Sequence, residues 1–354
     1  MPIFDQGYQH WSGKLSGHAW RWLAITRRGV KTALQTRWVR LALMLAWVPA
    51  LVLAFVLCLW GLFERQSALV EMFKPMLTQL FGMPIASGPR DYRVEIWTLC
   101  FHYFLACELW FSMVLVLLVG PNLISQDLRY NALPLYFSRP LRRIDYFFGK
   151  LGVIVALLAA VIIVPSIIAY VLGLLFSLDI TIVRDTSKVL VGAVLYGLVI
   201  AVSAGTLMLA LSSLSRNSRY VAMFWLGVWI LSNTVSAVLI TVEYERGMSE
   251  ADTNWQAWGN EENLQKEIQA AKSDWRPLVS YTSNLSRVGE RLLGTNAAWE
   301  RLGELAPPAQ RSTFLLQLMG NQYPWYWSAG VLVALFLLSI AILNFSIKSL
   351  DRLR

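Results

Sequence analysis

The chain has 354 residues, of which 56% are apolar and only 15% charged, with a mean hydropathy of +0.49. Soluble domains hold roughly 45–50% apolar and about 25% charged residues, so a water-soluble enzyme, a nucleic-acid-binding module and a secreted disulfide scaffold are excluded. The net charge of +9 has to be read by position before it is read as affinity for nucleic acid.

Residues 14–40 come first. Trp20, Leu23, Val30 and Leu34 recur there at helical spacing among basic residues that run from Lys14 to Arg40. The pattern predicts an interfacial helix on the inner leaflet, its basic side toward lipid phosphates. A basic tail with no defined orientation is the alternative. No short apolar core with a cleavage site precedes residue 40, so no secretory signal is expected and the first apolar block is expected to persist as a span.

A helix needs about 20 apolar residues to cross roughly 30 Å of hydrocarbon. Six blocks qualify: Leu41–Phe63, Ile96–Val119, Leu151–Ser177, Val189–Leu211, Tyr220–Val242 and Trp325–Ile347. Trp38, Trp60, Trp97, Trp325 and Trp327 mark their ends, where amphipathic rings favour the headgroup layer. The predicted fold is all-α: a polytopic membrane protein with six transmembrane helices. Cys58, Cys100 and Cys107 fall inside the blocks and read as small apolar residues.

Charge then orients the spans. The N-terminal tail, the 121–150 loop, the 212–219 loop and the C-terminal tail together hold 17 basic against 4 acidic residues, whereas loops 64–95, 178–188 and 243–324 hold 14 against 17. Basic residues accumulate on the cytoplasmic side. Both termini and the 121–150 loop are therefore expected in the cytoplasm, and the nucleic-acid reading of the charge falls away. The expected division is 1–40 as cytoplasmic tail and interfacial helix, 41–242 as spans one to five, 243–324 as an extracytoplasmic segment, and 325–354 as span six with its tail.

The 243–324 segment is polar and carries helix signals. Acids cluster in a first turn at 260–268, Pro277–Leu293 begins with proline and stops before Gly294, and Pro308–Met319 stops before Gly320. A helical cap is predicted. Asn284-Leu-Ser286 fits a glycosylation acceptor, which would require a eukaryotic secretory host. No internal repeat is evident, which disfavours an inverted-repeat carrier.

Catalytic motifs are missing. Gly13-Lys14 and Gly149-Lys150 are each followed by leucine, so there is no phosphate loop; there is also no His-Glu-x-x-His, Cys-x-x-Cys or Gly-x-Ser-x-Gly. With only three histidines, no catalytic residue, metal site or cofactor is expected in this chain.

The informative stretch is the loop between spans two and three. Pro121 suits a helix start, and Leu123, Ile124, Asp127, Leu128 and Arg129 suit a short amphipathic helix running to about Leu133, before Pro134. Ser138, before Pro140, is the candidate N-cap of a second helix leading straight into the third span. The run Leu123-Ile-Ser-x-Asp-x-Arg129, then Leu133, then Ser138-Arg-Pro-x-x-Arg143-x-x-Tyr146-x-x-Gly149-Lys150, resembles the corresponding loop in permease subunits of type-2 ATP-binding-cassette exporters. The motif covers about thirty residues, and that family shares the six-span topology, the interfacial helix and the external segment between spans five and six. This chain has Asp127 where the family often has glutamate, and Asn131-Ala132 where it often has Gly-Thr.

The resemblance implies that the loop is a coupling helix seated in a groove of a separate cytoplasmic ATPase, which would bind the ATP and Mg2+. Ile124, Leu128 and Leu133 would be the apolar contacts, beside Leu123, with Asp127 and Arg129 as polar ones. Arg139, Pro140 and Arg143 would fix the return into the third span. It further implies a second permease copy or paralogue and a bacterial plasma-membrane location. Arg142 and Lys150 read as phosphate-layer anchors, as basic residues at cytoplasmic span ends usually are.

Glu108 is the acid inside a span, where acids face a bundle interior or an aqueous cavity. It is a candidate contact for a cation, a proton or a cationic substrate, or else a structural pair or a hydrogen bond to a second copy. His102 lies about 240° away around the helix and shares no face with it. Pro49 and Pro165 read as tolerated packing kinks. Two rival functions stand beside the exporter: an ion-coupled carrier or channel using Glu108, and a scaffold recruiting envelope proteins through 243–324. The cargo is left open by the sequence.

Overall fold

The computed structural model describes residues 20–64, 89–132, 142–177, 181–251, 273–305 and 323–351, and no strand occurs among them. Two helices lead in, α1 (Arg21–Gln35) and α2 (Arg37–Glu64). Then follow α3 (Arg93–Val119), α4 (Pro121–Arg129), α5 (Arg143–Val161), α6 (Ile163–Ser177) and α7 (Thr181–Leu214). The chain continues through α8 (Ser218–Leu226), a π-helical turn at Gly227–Leu231, and α9 (Ser232–Ala251). It ends with α10 (Tyr281–Leu293), α11 (Thr295–Leu305) and α12 (Trp325–Asp351).

Six helical stretches among the described residues are long and apolar enough to cross a membrane: 37–64, 90–129, 143–177, 181–214, 218–243 and 325–346. They coincide with the six apolar blocks of the sequence, as in a multi-pass membrane protein. Most overrun the blocks because hydrogen bonding does not stop where hydrocarbon would; α7 starts at Thr181 and carries Arg184 and Lys188 before its apolar part begins. Span three is made of α5 and α6, offset at Ile162. Pro165 has no N–H to give to the carbonyl four residues back, and the break falls there. Ser166 closes the gap, its N–H and hydroxyl donating to the Ile162 carbonyl at 3.1 and 2.6 Å.

Helix α7 is the centre of the bundle, touching α3, α4, α5, α6, α10 and α12. Small residues permit that crowding. Gly205 sits under Leu151 and Gly197 under Ile162, while a Cβ at Gly192 would lie 2.5 Å from the Leu292 carbonyl oxygen. Helix α2 packs on α3 and α6. There Trp97, fully buried, meets Tyr170 edge-on with ring centroids 5.4 Å apart.

A buried charge network ties the span ends near α2's C-terminus. Arg93 donates to both Glu64 oxygens at 2.9 and 2.8 Å, and Glu64 also accepts from Trp60 Nε1 at 2.8 Å and Ser177 Oγ at 3.1 Å. Both side chains are 3% exposed. Arg93 Nη1 reaches on to Thr181 at 3.3 Å and Asp185 at 3.6 Å. Four elements, α2, α3, α6 and α7, meet at one ion pair.

The 273–305 region follows the proline and glycine signals of the sequence. A 3-10 turn at Arg276–Val279 leads to α10, which Ser280 caps by accepting the Ser283 N–H at 3.0 Å. Gly294, at φ 74°, ends it in the left-handed conformation that glycine adopts without strain. This region does not stand off as a separate cap. Tyr281 shares a hydrogen bond with Ser203 of α7 at 2.9 Å, and Asn233 of α9 accepts from the Ser280 and Thr282 hydroxyls, both at 2.6 Å. Burial pushes the Tyr281 phenol up, with the Ser203 hydrogen bond opposing it. Asn284 is 1% exposed, and its amide donates to the Leu278 and Ser280 carbonyls, both at 2.7 Å. The glycosylation reading is thereby corrected, since this fold leaves no room for a glycan on that enclosed nitrogen. The helix signals at 260–268 and 308–319 lie outside the described residues.

Helix α1 is helical as predicted and seated on α5 through glycines. A Cβ on Gly29 would meet Val153, one on Gly149 would meet Ile25, and one on Gly152 would meet Thr26. Thr26 Oγ1 donates to the Gly149 carbonyl at 3.0 Å across this contact. Trp20, Leu23, Arg27 and Lys31 are exposed on its outer side.

Candidate functional site

Helix α4 begins with proline at its first turn, where a missing N–H costs nothing. Helix α7 is hydrogen-bonded to the first turns of α4. Ser212 Oγ accepts from the Ile124 and Ser125 N–H groups at 3.1 and 3.0 Å and donates to the Pro121 carbonyl at 3.0 Å. The Ser125 hydroxyl also donates to that carbonyl. Gly120 admits the Met208 side chain, which a Cβ would strike at 2.2 Å.

The helix stops at Arg129 and not near Leu133. Asn131 turns left-handed at φ 49°, and the Ala132 N–H returns to the Asp127 carbonyl at 2.9 Å. Asparagine tolerates that conformation, so the stop precedes Pro134 altogether. Leu133, Arg139 and Pro140 lie outside the described residues.

Asp127 faces α5. Its Oδ2 accepts from Tyr146 Oη at 2.7 Å and from Lys150 Nζ at 2.6 Å, and the ammonium also lies 5.5 Å from the Tyr146 ring centroid. Tyr146 and Lys150 are one turn apart on α5, so one carboxylate reaches both. Reading Lys150 as a phosphate-layer anchor is thus corrected: it pairs within the chain. Helix α5 starts at Arg143, with Arg142 extended and its N–H given to the Asp145 carboxylate at 3.2 Å. The third span's helix therefore begins after an extended Arg142, and the N-cap candidate Ser138 lies outside the described residues. The acid three residues inside the helix was the missed signal.

The predicted coupling residues divide. Leu123 (8% exposed) and Ile124 (3%) are packed inside this chain, so neither is a surface contact here. Leu128 is half-buried against the core. Asn122, Gln126, Arg129 and Tyr130 form the exposed ridge, with the Arg129 guanidinium 5.8 Å from the Tyr130 ring centroid. Arg143 is exposed at the start of α5, beside the same loop. Sequence reasoning missed Ser212, which nothing in its own neighbourhood marks.

Glu108 of α3 is 0% exposed, and neither carboxylate oxygen has a hydrogen-bond partner among the described residues. The Ser112 hydroxyl, one turn on, is likewise buried without one. A hydrogen bond from Glu108 to a second copy is ruled out in this conformation, because the side chain is enclosed by its own chain. No group of three metal-ligating residues occurs among the described residues.

No protein-family model, no curated protein and no solved structure matches the chain.

Proposed function

We propose that the chain is the membrane-spanning subunit of an ATP-driven exporter in the bacterial plasma membrane, with both termini cytoplasmic and hydrolysis performed by a separate ATPase. The observation that carries this reading is the mounting of α4. A nine-residue helix between two spans is bonded at its start to α7 and at its end to α5, and it leaves a polar ridge uncovered. Force on that ridge would pass to two spans through Ser212 and Asp127.

The loop's likeness to type-2 exporter permeases supports the same role, as does the excess of basic residues on the α1 and α4 side. ATP and Mg2+ would belong to the partner, and a second permease copy or paralogue would complete the pathway. Closure of the ATPases would displace α4 and switch the bundle between inward and outward access. Co-purification of the full chain with a cytoplasmic ATPase, comparing wild type with Gln126→Ala/Arg129→Ala, tests it; the ridge variant should lose the partner while keeping its helicity.

Glu108 favours a second reading, an ion-coupled carrier, since a buried acid without partners suits transient binding of a proton or cation. That reading requires gradient-driven transport in vesicles holding this chain alone. A scaffold acting through 243–324 is less supported, because its described part is packed into the bundle.

A further inference from the structure

An open groove of about 510 Å3 is lined by residues of both α1 and α4. That is the size of a small-ligand site, and much smaller than a groove for a partner helix. Its two halves differ in chemistry. Ala24, Ile25, Ala33 and Leu118, exposed or half-buried, give it an apolar wall, whereas Arg28, Thr32, Asn122 and Gln126 form a polar rim.

The charge on that rim is not balanced by the chain. Lys150, at one end of the groove, is paired with Asp127 at 2.6 Å. Arg28 has no acidic partner among the described residues, and no acid occurs anywhere between Trp20 and Phe63. A charged guanidinium beside amide and hydroxyl groups, directly above an apolar wall, matches a phosphate joined to hydrocarbon.

We propose that the groove between α1 and α4 holds one anionic phospholipid of the inner leaflet, its phosphate on Arg28 and the upper part of its acyl chains along Ala33 and Leu118. A free phosphate would leave the apolar wall uncovered, so the lipid is the better occupant. The assignment rests on placing the α1 and α4 end at the inner leaflet and is independent of any ATPase. Occupancy would bridge the two helices across the groove.

Native mass spectrometry of the full chain, released from nanodiscs of phosphatidylcholine containing a minor fraction of phosphatidylglycerol, tests this without a partner protein. Wild type should retain one phosphatidylglycerol per chain in preference to phosphatidylcholine. Arg28→Gln should weaken that retention roughly 10-fold, the loss expected for one charge-assisted hydrogen bond. Ala33→Trp, which keeps every charge but fills the groove, should exclude the lipid, and Arg27→Gln, off the groove, should leave retention unchanged. Equal retention by wild type, Arg28→Gln and Ala33→Trp would overturn the proposal. Equal loss in Arg27→Gln and Arg28→Gln would do so as well, by showing only diffuse attraction, and so would full displacement by inorganic phosphate.

Discussion

Lys150 and Asp127 meet at 2.6 Å, joining the helix between the second and third spans to the first turns of the third. Both side chains are mostly withdrawn from solvent, at 12% and 15% exposure, so water screens the pair less than it would a surface pair. Asp127→Asn and Lys150→Met, combined in a double-mutant cycle, should show a coupling of about 1–2 kcal/mol. Unfolding in mixed micelles measures it, and additive single effects would show that the contact is energetically idle.

Ser212 completes the other attachment. Ser212→Ala leaves the Ile124 and Ser125 N–H groups with only their own helix carbonyls and should cost about 0.5–1.5 kcal/mol. Amide exchange at those two positions should accelerate while α7 keeps its protection. If exchange there stays slow, α4 is held by its buried Leu123 and Ile124 alone.

The Glu64 and Arg93 pair is expected to behave as a unit. Removing one partner leaves a buried charge, at a cost of about 3–5 kcal/mol, while replacing both with apolar residues of similar volume is far milder. Arg93→Met alone should therefore lower the thermal midpoint more than Glu64→Leu/Arg93→Met does. The reverse order would mean that Trp60 and Ser177 suffice to hold Glu64.

Glu108 offers a trade of stability against activity. Its unpartnered oxygens cost folding energy, so Glu108→Met should stabilise the bundle by about 1–3 kcal/mol. A raised midpoint with impaired transport would identify a functional acid kept at a structural cost. A lowered midpoint would reveal that the carboxyl has a structural partner after all.

The six spans were legible because each is a single long apolar run, and length against hydrocarbon thickness is a one-dimensional test. So was the end of α10 at Gly294, whereas its start was read at Pro277 and lies at Tyr281, where the Ser280 side chain caps it. Contacts across sequence were not legible. Asp127 reads identically whether it faces a partner protein or Lys150, and Ser212 is an ordinary serine until α7 passes beside α4. Helix ends set by side chains were harder to read: Asn131 turns the chain before Pro134 is reached, and the Asp145 carboxylate caps α5 at Arg142. Ile124 went to the interior because α4 is amphipathic, and its apolar face was claimed by the chain's own core.

The most direct measurement is ATP hydrolysis by a candidate partner, a cytoplasmic ATPase carrying a phosphate loop and no membrane span, when mixed with the reconstituted protein. Wild type should bind it and change its turnover, and Gln126→Ala/Arg129→Ala should abolish both with the spans intact. Cargo movement in vesicles driven by an ion gradient, with no ATPase present and the ridge variant fully active, would contradict ATP-driven export.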